Sequence, residues 1–324
     1  MSQKKFKLFD FTKDGKGVSK AETENIKPNL SGFFKQYKNK FSRLLSVNIF
    51  MVLGNFPLFF AGMAYAGYGA THTTIPAYFL FPIINAMDKF DPSPVSAALY
   101  AIYGLQGPAM HFSTVSYILL ALSLLTLFTF GLTNVGTTYI LRNLARGDAV
   151  FMWSDFWYAI KRNWKQGILI GILDILFSFL SVFNIRYYFL ALNDTFINGI
   201  MFYLSLAMLN LWFFMRFYMY LLLVTFDLSI PKILKNSLIF SIIGFKRNFM
   251  ATLGILVLLL LNYMVFVYVQ PLGIVLPLVL TLSNGAFMST YAAYFKIKEI
   301  MIDPYADKPE APSEEPLAKD DVSN

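Results

Sequence analysis

Six long apolar stretches constrain this chain more than any other feature of its sequence. Each is long enough to cross the roughly 30 Å core of a bilayer, which takes about 20 apolar residues as a helix. Because strand-like alternation is absent from them, helices are the favoured reading. The sequence therefore predicts an all-α polytopic membrane protein with about six transmembrane helices. Their expected bounds are 44–66, 114–141, 167–190, 196–226, 250–269 and 273–295.

The composition excludes a soluble enzyme. Hydrophobic residues make up 56% of the chain and charged residues 14%, whereas a soluble domain has about 45–50% and 25%. The chain has no cysteine and only two histidines, His72 and His111, so disulfides and thiolate metal sites are excluded. Paired carboxylates and cofactor motifs are also missing, so we expect no catalytic residues, no metal site and no cofactor.

The distribution of positive charge predicts the orientation in the membrane. Eleven Lys and Arg residues precede the first span, and further basic residues follow spans two, four and six, whereas the other side offers only Lys89 and Arg186. Since basic loops stay in the cytoplasm, we expect a multi-pass protein of the bacterial plasma membrane with both termini cytoplasmic. Pro271 and Gly273 predict a tight turn that joins the last two spans into an antiparallel hairpin.

Two terminal segments flank the predicted membrane domain, which covers 31–298. Residues 1–30 are rich in lysine and read as a flexible cytoplasmic arm near anionic lipid headgroups. Residues 299–324 are acidic and rich in proline, a composition typical of disorder. The lipid bilayer is the expected partner of the basic arm. A nucleic-acid partner is not expected, because this charge is explained by the topology.

The predicted outer loop, 67–112, is apolar and aromatic rather than hydrophilic. Its five prolines divide it into pieces too short to span a bilayer, which predicts two short helices on the outer face. Its aromatic residues could stack on a sugar, or they could simply pack as a hydrophobic lid or sit at the membrane interface. The candidate surface comprises Tyr65, Tyr68, Tyr78, Tyr100 and Tyr103.

Two amphipathic helices are predicted between the spans on the cytoplasmic side. The first carries an apolar stripe at helical spacing, with clustered cations beside it, and the second follows Ser229 and Pro231. Both read as helices in the membrane interface, or as docking elements for a cytoplasmic partner. Each ends in Lys-Arg-Asn-aromatic, at 161–164 and at 246–249, and this likeness fits either an internal repeat or the general preference for basic residues before a span. The first stripe consists of Trp153, Phe156, Trp157, Ile160 and Trp164.

Two ionisable residues lie clearly inside predicted spans. Asp174 is in span three and Arg216 is in span four, both about 10–15 Å from the cytoplasmic end at about 1.5 Å per residue. Consecutive spans are antiparallel neighbours, and pairing relieves much of the cost of burying each charge. We therefore predict an Asp174–Arg216 ion pair, with a structural role or a role in gating or substrate binding. Further mid-span polar residues, expected to join helices, are Asn134, Asn210, Asn262 and Asn284.

The segment GLTNVGTTYILRNLARGDAVFMWSDFWYAIKRNWKQG, at 131–167, closely resembles the signature of the YesL-like family of bacterial integral membrane proteins. The segments 33–58 and 216–238 resemble the same family, so the likeness extends over roughly 31–298. The long outer loop and the basic arm depart from the family pattern. The matching signature residues are Gly131, Gly136, Arg142, Asn143, Arg146, Asp155, Phe156, Lys161, Asn163, Trp164 and Lys165.

This resemblance implies a family of unknown function whose genes often lie among those for carbohydrate uptake and breakdown. By that analogy the chain is expected to be associated with carbohydrate transport or utilisation, as an accessory subunit or a minor permease, with transporter subunits or a sugar as partners. The alternative is a non-transporting membrane scaffold or regulator that docks a cytoplasmic or lipid partner. The sequence carries no feature that fixes an oligomeric state.

Overall fold

The computed structural model describes residues 28–76, 78–104 and 106–306. Most of the predicted basic arm and acidic tail therefore lies outside the described residues. The described part is dominated by helices, and five of them are long and apolar enough to cross a membrane, or six if one bent pair is counted as a single span. The predicted all-α polytopic architecture is confirmed.

The first predicted span is bent rather than straight. Helix α1 (Leu30–Gly54) begins at Asn29, whose side chain accepts a hydrogen bond from the Gly32 amide. Helix α2 (Pro57–Tyr65) follows after two residues, at an angle of 61°. The break has a local cause, because Pro57 has no amide hydrogen to continue the helix, while the Met51 carbonyl accepts from both the amide and the side chain of Asn55.

The long loop contains the two short helices predicted from its prolines, and it also contains a ribbon that was not predicted. Strands β1 and β2 pair antiparallel, with Thr71 opposite His111. Ser93 and Ser96 cap the second helix reciprocally, which fixes its start. The elements are β1 (Thr71–Pro76), α3 (Phe81–Phe90), α4 (Pro94–Tyr103) and β2 (Gln106–His111).

The middle of the chain forms an antiparallel helical hairpin. The first amphipathic helix and the third predicted span are one helix of 39 residues, kinked at Asn163. The two predicted elements meet at this kink, where the backbone of Asn163 leaves the helical conformation (φ −121°, ψ 16°). The elements are α5 (Thr114–Ser123), α6 (Thr126–Arg146) and α7 (Met152–Leu190).

The remaining helices complete the bundle. The second amphipathic helix is α9, which starts after Ser229 as predicted and ends at Gly244, where the next span begins. One π-helical turn interrupts the last predicted span, and a second π-helical turn follows the end of that span. The elements are α8 (Phe196–Thr225), α9 (Ile230–Ile243), α10 (Phe245–Tyr268), α11 (Gln270–Leu276), π1 (Pro277–Thr281), α12 (Leu282–Ile297), π2 (Lys298–Ile302) and α13 (Asp303–Ala306).

The last two spans form the expected antiparallel hairpin, but the turn lies earlier than predicted. The chain leaves the helical conformation at Val269 (φ −137°, ψ 71°) and re-enters a helix at Gln270. Gly273 is not in this turn. It lies inside α11, where a Cβ atom would overlap the backbone of Phe266, so its missing side chain permits close helix contact.

Burial identifies the central helix of the bundle. The C-terminal half of α8 is almost fully buried, including all residues from Phe217 to Val224. In contrast, α10 exposes large apolar side chains such as Leu256, Val257 and Leu260. Exposed apolar side chains along a long helix are what a lipid-facing surface requires.

Candidate functional site: a polar cavity within the bundle

The structure brings Asp174 and Arg216 into contact. Nε of Arg216 donates to Oδ2 of Asp174 at 2.9 Å. The carboxylate also accepts from Nε1 of Trp212 at 3.1 Å and from Oη of Tyr220 at 3.0 Å. Asp174 is completely buried, while the Arg216 side chain remains 34% exposed. Both carboxylate oxygens therefore have donors in an interior where an unpaired charge is costly.

The spacing of the three donors explains this arrangement. Trp212, Arg216 and Tyr220 are four residues apart on α8, so they share one helical face. The ring of Phe177 on α7 stacks on Trp212 at 4.1 Å between centroids, which holds the indole beside the carboxylate. Sequence reasoning found Asp174 and Arg216 but missed Trp212 and Tyr220, although their i±4 spacing around Arg216 was a usable signal.

A cavity of about 370 Å³ opens next to Arg216. It is partly open and lies between helices α1, α6, α8, α10 and α12. Its wall combines aromatic and aliphatic side chains with amides and hydroxyls, as ligand sites usually do. The polar residues on its wall are Asn55, Asn134, Thr138, Arg216, Tyr220, Thr281, Ser289 and Thr290.

The cavity lies beside the middle of α10, where Ile255, Leu258 and Leu259 line it. Arg216 is nine residues before the last residue of α8, or about 14 Å at 1.5 Å per residue. Two interruptions of regular helix reach its wall, since Asn55 is in the break between α1 and α2 and Thr281 ends π1. Membrane transporters place substrate sites at such depths, next to broken helices.

Asn48 on α1 binds the backbone on both sides of the second interruption, π1. This fully buried side chain donates to the Pro277 carbonyl at 3.1 Å and accepts from the Ser283 amide at 2.8 Å. It thus provides hydrogen-bond partners for backbone groups at both ends of π1, where the bonding pattern changes from that of an α-helix to that of a π-helix. The side chain of Asn48 therefore fixes the π-helical turn of the last span against α1.

The buried polar residues Arg142 and Asn143 of the signature segment contact each other, and Arg142 binds the end of a helix. Arg142 donates to the Val224 carbonyl at 2.7 Å and to Oδ1 of Asn143 at 3.0 Å and 3.2 Å. Its guanidinium also lies 4.5 Å from the Tyr139 ring centroid. A cation on the last carbonyls of a helix is favourable, so Arg142 holds the end of α8 against α6.

Other signature residues shape the start of α7. Asp155 accepts from the Phe151 amide at 2.9 Å, which caps the helix. Phe156 is buried, stacks on Phe50 at 4.6 Å, and lies against the bare backbone of Gly136. Arg146 forms a surface ion pair with Asp148 at 3.1 Å. These contacts give each of them a packing role.

The apolar stripe of the first amphipathic helix is partly buried and partly exposed. Phe156 and Ile160 are buried, whereas Trp153, Trp157 and Trp164 remain exposed. Exposed Lys161, Arg162 and Lys165 follow on the same helix, and Nζ of Lys165 lies 5.5 Å from the Trp164 ring. The exposed side chains form a surface rich in tryptophan and cations.

The two Lys-Arg-Asn-aromatic segments differ in structure. Asn163 lies at the kink in α7, and its side-chain amide donates to the Ala159 carbonyl of the same helix. Asn248 is fully buried, accepts from Oη of Tyr218 at 2.7 Å and donates to the Ser241 carbonyl at 3.1 Å. The helix break before the second segment lies at Gly244 rather than at Asn248. The two asparagines at matching positions therefore make different contacts: Asn163 bonds within its own helix, whereas Asn248 bonds other helices.

Two of the five tyrosines of the proposed aromatic surface contact each other. Tyr78 and Tyr103 pack edge to face at 5.4 Å, and Tyr100 packs on Phe81. Tyr65 and Tyr68 are largely exposed. The cavity wall is formed by other residues. Within the described ranges, no group of three His, Cys, Asp or Glu side chains is placed to hold a metal ion.

Residues 112–185 match the model of a family described as "Protein of unknown function, DUF624". The similarity is limited to these 74 residues, the DUF624 segment. The match confirms the resemblance to the YesL-like family over these residues. No curated protein and no solved structure matches the chain.

The DUF624 segment covers α5, α6 and most of α7. It supplies Asp174 and the cavity residues Phe130, Asn134 and Thr138. Arg216 and the other donors to Asp174 lie beyond it, on α8. The ion pair thus joins the DUF624 segment to the next span.

Proposed function

We propose that this chain is a multi-pass protein of the bacterial plasma membrane that serves carbohydrate transport or utilisation, as an accessory subunit or a minor permease. The observation that carries the proposal is the mid-bundle cavity, whose amides, hydroxyls and single arginine suit a small polyhydroxylated solute. The family analogy supplies the link to carbohydrate.

The architecture around the cavity supports passage or binding of a polar solute. Intramembrane polar groups are expensive unless they bind each other or a ligand. Asn134, Thr138 and Ser289 line the cavity, and sugar hydroxyls would bind them. The two helix interruptions that reach the wall provide segments that can rearrange around a solute.

The orientation is part of the proposal. Arg247 at the start of α10 and Lys296 at the end of α12 both pair with Glu299, at 3.3 Å and 3.0 Å, so the basic ends of these two helices meet. Under the positive-inside rule this basic end faces the cytoplasm. Both termini would then be cytoplasmic.

The test combines binding with flux. Full-length protein in detergent should bind labelled sugar saturably, and in liposomes it should move that sugar if it is a permease. Gly285 lines the cavity, and a Cβ there meets only Ile255 at 3.8 Å, so Gly285→Leu should fill the cavity and abolish binding. Gly199→Leu is the matched control, because no atom lies within 4 Å of its Cβ position. A protein that binds no sugar contradicts the proposal.

A second candidate function is that of a scaffold or regulator without transport. The surface of Trp153, Trp157 and Trp164 favours it, because exposed tryptophan beside Lys161 and Lys165 suits an anionic lipid surface or a docking partner. Replacement of the three tryptophans by alanine should then release the partner while the fold persists. Absence of sugar flux, together with a stable copurifying partner, would favour this reading.

A further inference from the structure

The Arg216 guanidinium has a free end that the ion pair does not use. Its Nε atom donates to Asp174, whereas no hydrogen bond is recorded for Nη1 or Nη2 within the described part of the chain. The side chain is 34% exposed, and it lines the cavity. A planar guanidinium with two unused nitrogens is shaped for a bidentate contact with a carboxylate.

The negative partner of this arginine is withdrawn from the cavity. Asp174 is not part of the cavity wall, its side chain has no exposed surface, and Trp212 and Tyr220 donate to it as well. Among the described residues on the wall, Arg216 is the one with a full charge. A ligand in the cavity therefore meets a cation, while the compensating anion lies behind it.

The remaining wall suits hydroxyl groups. Thr138, Ser289 and Thr290 line it with hydroxyls, and Asn55 and Asn134 with amides. Phe130 lies with its ring centroid 5.8 Å from the guanidinium carbon of Arg216, which places an apolar face beside the charge. An oxyanion at the arginine and a polyol beyond it match these groups.

From this geometry we infer that the cavity binds a sugar acid, a polyhydroxylated solute with one carboxylate, and that Arg216 is its specificity-determining residue. A monoanion suits the site better than a dianion, because each further charge adds desolvation cost in a low-dielectric interior. The inference rests on the proposed function and names the substrate class of the same cavity.

The experiment measures binding of labelled glucuronate and glucose to the full-length protein in detergent. Glucuronate should bind about tenfold to a hundredfold more tightly than glucose, as expected for a charge-assisted contact. Arg216→Gln should remove this preference, and Arg216→Lys should restore only part of it, since lysine keeps the charge but loses the fork. Gly285→Leu should abolish binding of both sugars, and Gly199→Leu should change neither.

The outcomes separate the two proposals. Equal binding of glucose and glucuronate overturns the sugar-acid inference and leaves the cavity as a sugar site. Binding of neither sugar overturns both. Where Arg216→Gln fails to fold, the double variant Asp174→Asn with Arg216→Gln replaces it, because it removes both charges together. A preference for glucuronate that survives in a folded Arg216 variant also overturns the inference.

Discussion

Gly131 on α6 and Gly171 on α7 lie in backbone contact. A Cβ atom built on Gly171 would overlap Cα of Gly131, and one built on Gly131 would overlap the Gly167 carbonyl. Gly167 and Gly171 are four residues apart, the small-xxx-small spacing that lets membrane helices approach closely. This contact sets the distance between the two helices that carry the DUF624 match, and it places Asp174 one turn away from the crossing.

The first prediction follows from this crossing. Gly171→Ala should destabilise the protein by about 1–3 kcal/mol, because the added methyl group forces the helices apart. Gly199→Ala, at a helical position with open space, should stabilise by up to about 1 kcal/mol. Thermal unfolding in detergent, followed by circular dichroism, measures both. Equal effects of the two substitutions would show that the crossing is not tight.

The spans could be predicted because long apolar runs identify transmembrane helices almost independently of context. The 61° bend between α1 and α2 could not, because it depends on local backbone geometry. The Asp174–Arg216 contact could be predicted from the sequence, because two opposite charges inside neighbouring spans have few other groups to pair with. The contacts of Trp212 and Tyr220 required the structure, because their i±4 spacing around Arg216 shows only that they share its face of α8.

The contacts of polar residues inside the spans could also be predicted only in part. Asn262 accepts from Thr281, and Asn284 donates to Tyr37, so these two join helices as expected. Asn134 and Asn210 bond carbonyls of their own helix instead. Sequence places all four in the membrane, but only the packing of neighbouring helices decides which of them finds a partner.

The second prediction concerns the energetics of the ion pair. Asp174→Leu should destabilise by about 3–5 kcal/mol, because it leaves a guanidinium and two further donors without their acceptor. Arg216→Leu should cost less, since Trp212 and Tyr220 still donate to the carboxylate. The double variant, Asp174→Leu with Arg216→Leu, should lose less stability than the two single variants lose in sum.

A double-mutant cycle in detergent measures this coupling. The exposed pair Arg146–Asp148 provides the control, because a surface ion pair contributes at most about 1 kcal/mol. Additive effects at Asp174 and Arg216 would mean that the two charges do not stabilise each other.

The third prediction concerns Asn48 and the π-helical turn π1. Asn48→Ala leaves the Pro277 carbonyl and the Ser283 amide without their side-chain partner, so we expect a loss of about 1–3 kcal/mol. Hydrogen exchange at residues 277–283 should accelerate with it. Asn210→Ala is the control, because Asn210 bonds only its own helix and is exposed. Unchanged exchange at π1 would contradict the role of Asn48.

The fourth prediction tests the orientation. The chain has no native cysteine, and both Tyr158 and Asp194 are exposed on the protein surface, so accessibility to reagent depends on the side of the membrane. In intact cells a membrane-impermeant maleimide should label Asp194→Cys and should not label Tyr158→Cys. After permeabilisation both should react. The reverse pattern in intact cells would place the basic end outside.

The fifth prediction separates two arginines that lie one helical turn apart on α6. Arg142 is buried and holds the Val224 carbonyl at the end of α8, whereas Arg146 is 46% exposed in its side chain and pairs with Asp148 at the surface. Arg142→Met should therefore cost about 2–4 kcal/mol, because it removes a charged hydrogen bond and leaves buried acceptors unpaired. Arg146→Met should cost at most about 1 kcal/mol. Since the two substitutions delete the same charge at the same end of one helix, a difference in unfolding temperature isolates the contact with α8, and equal losses would show that Arg142 contributes only its charge.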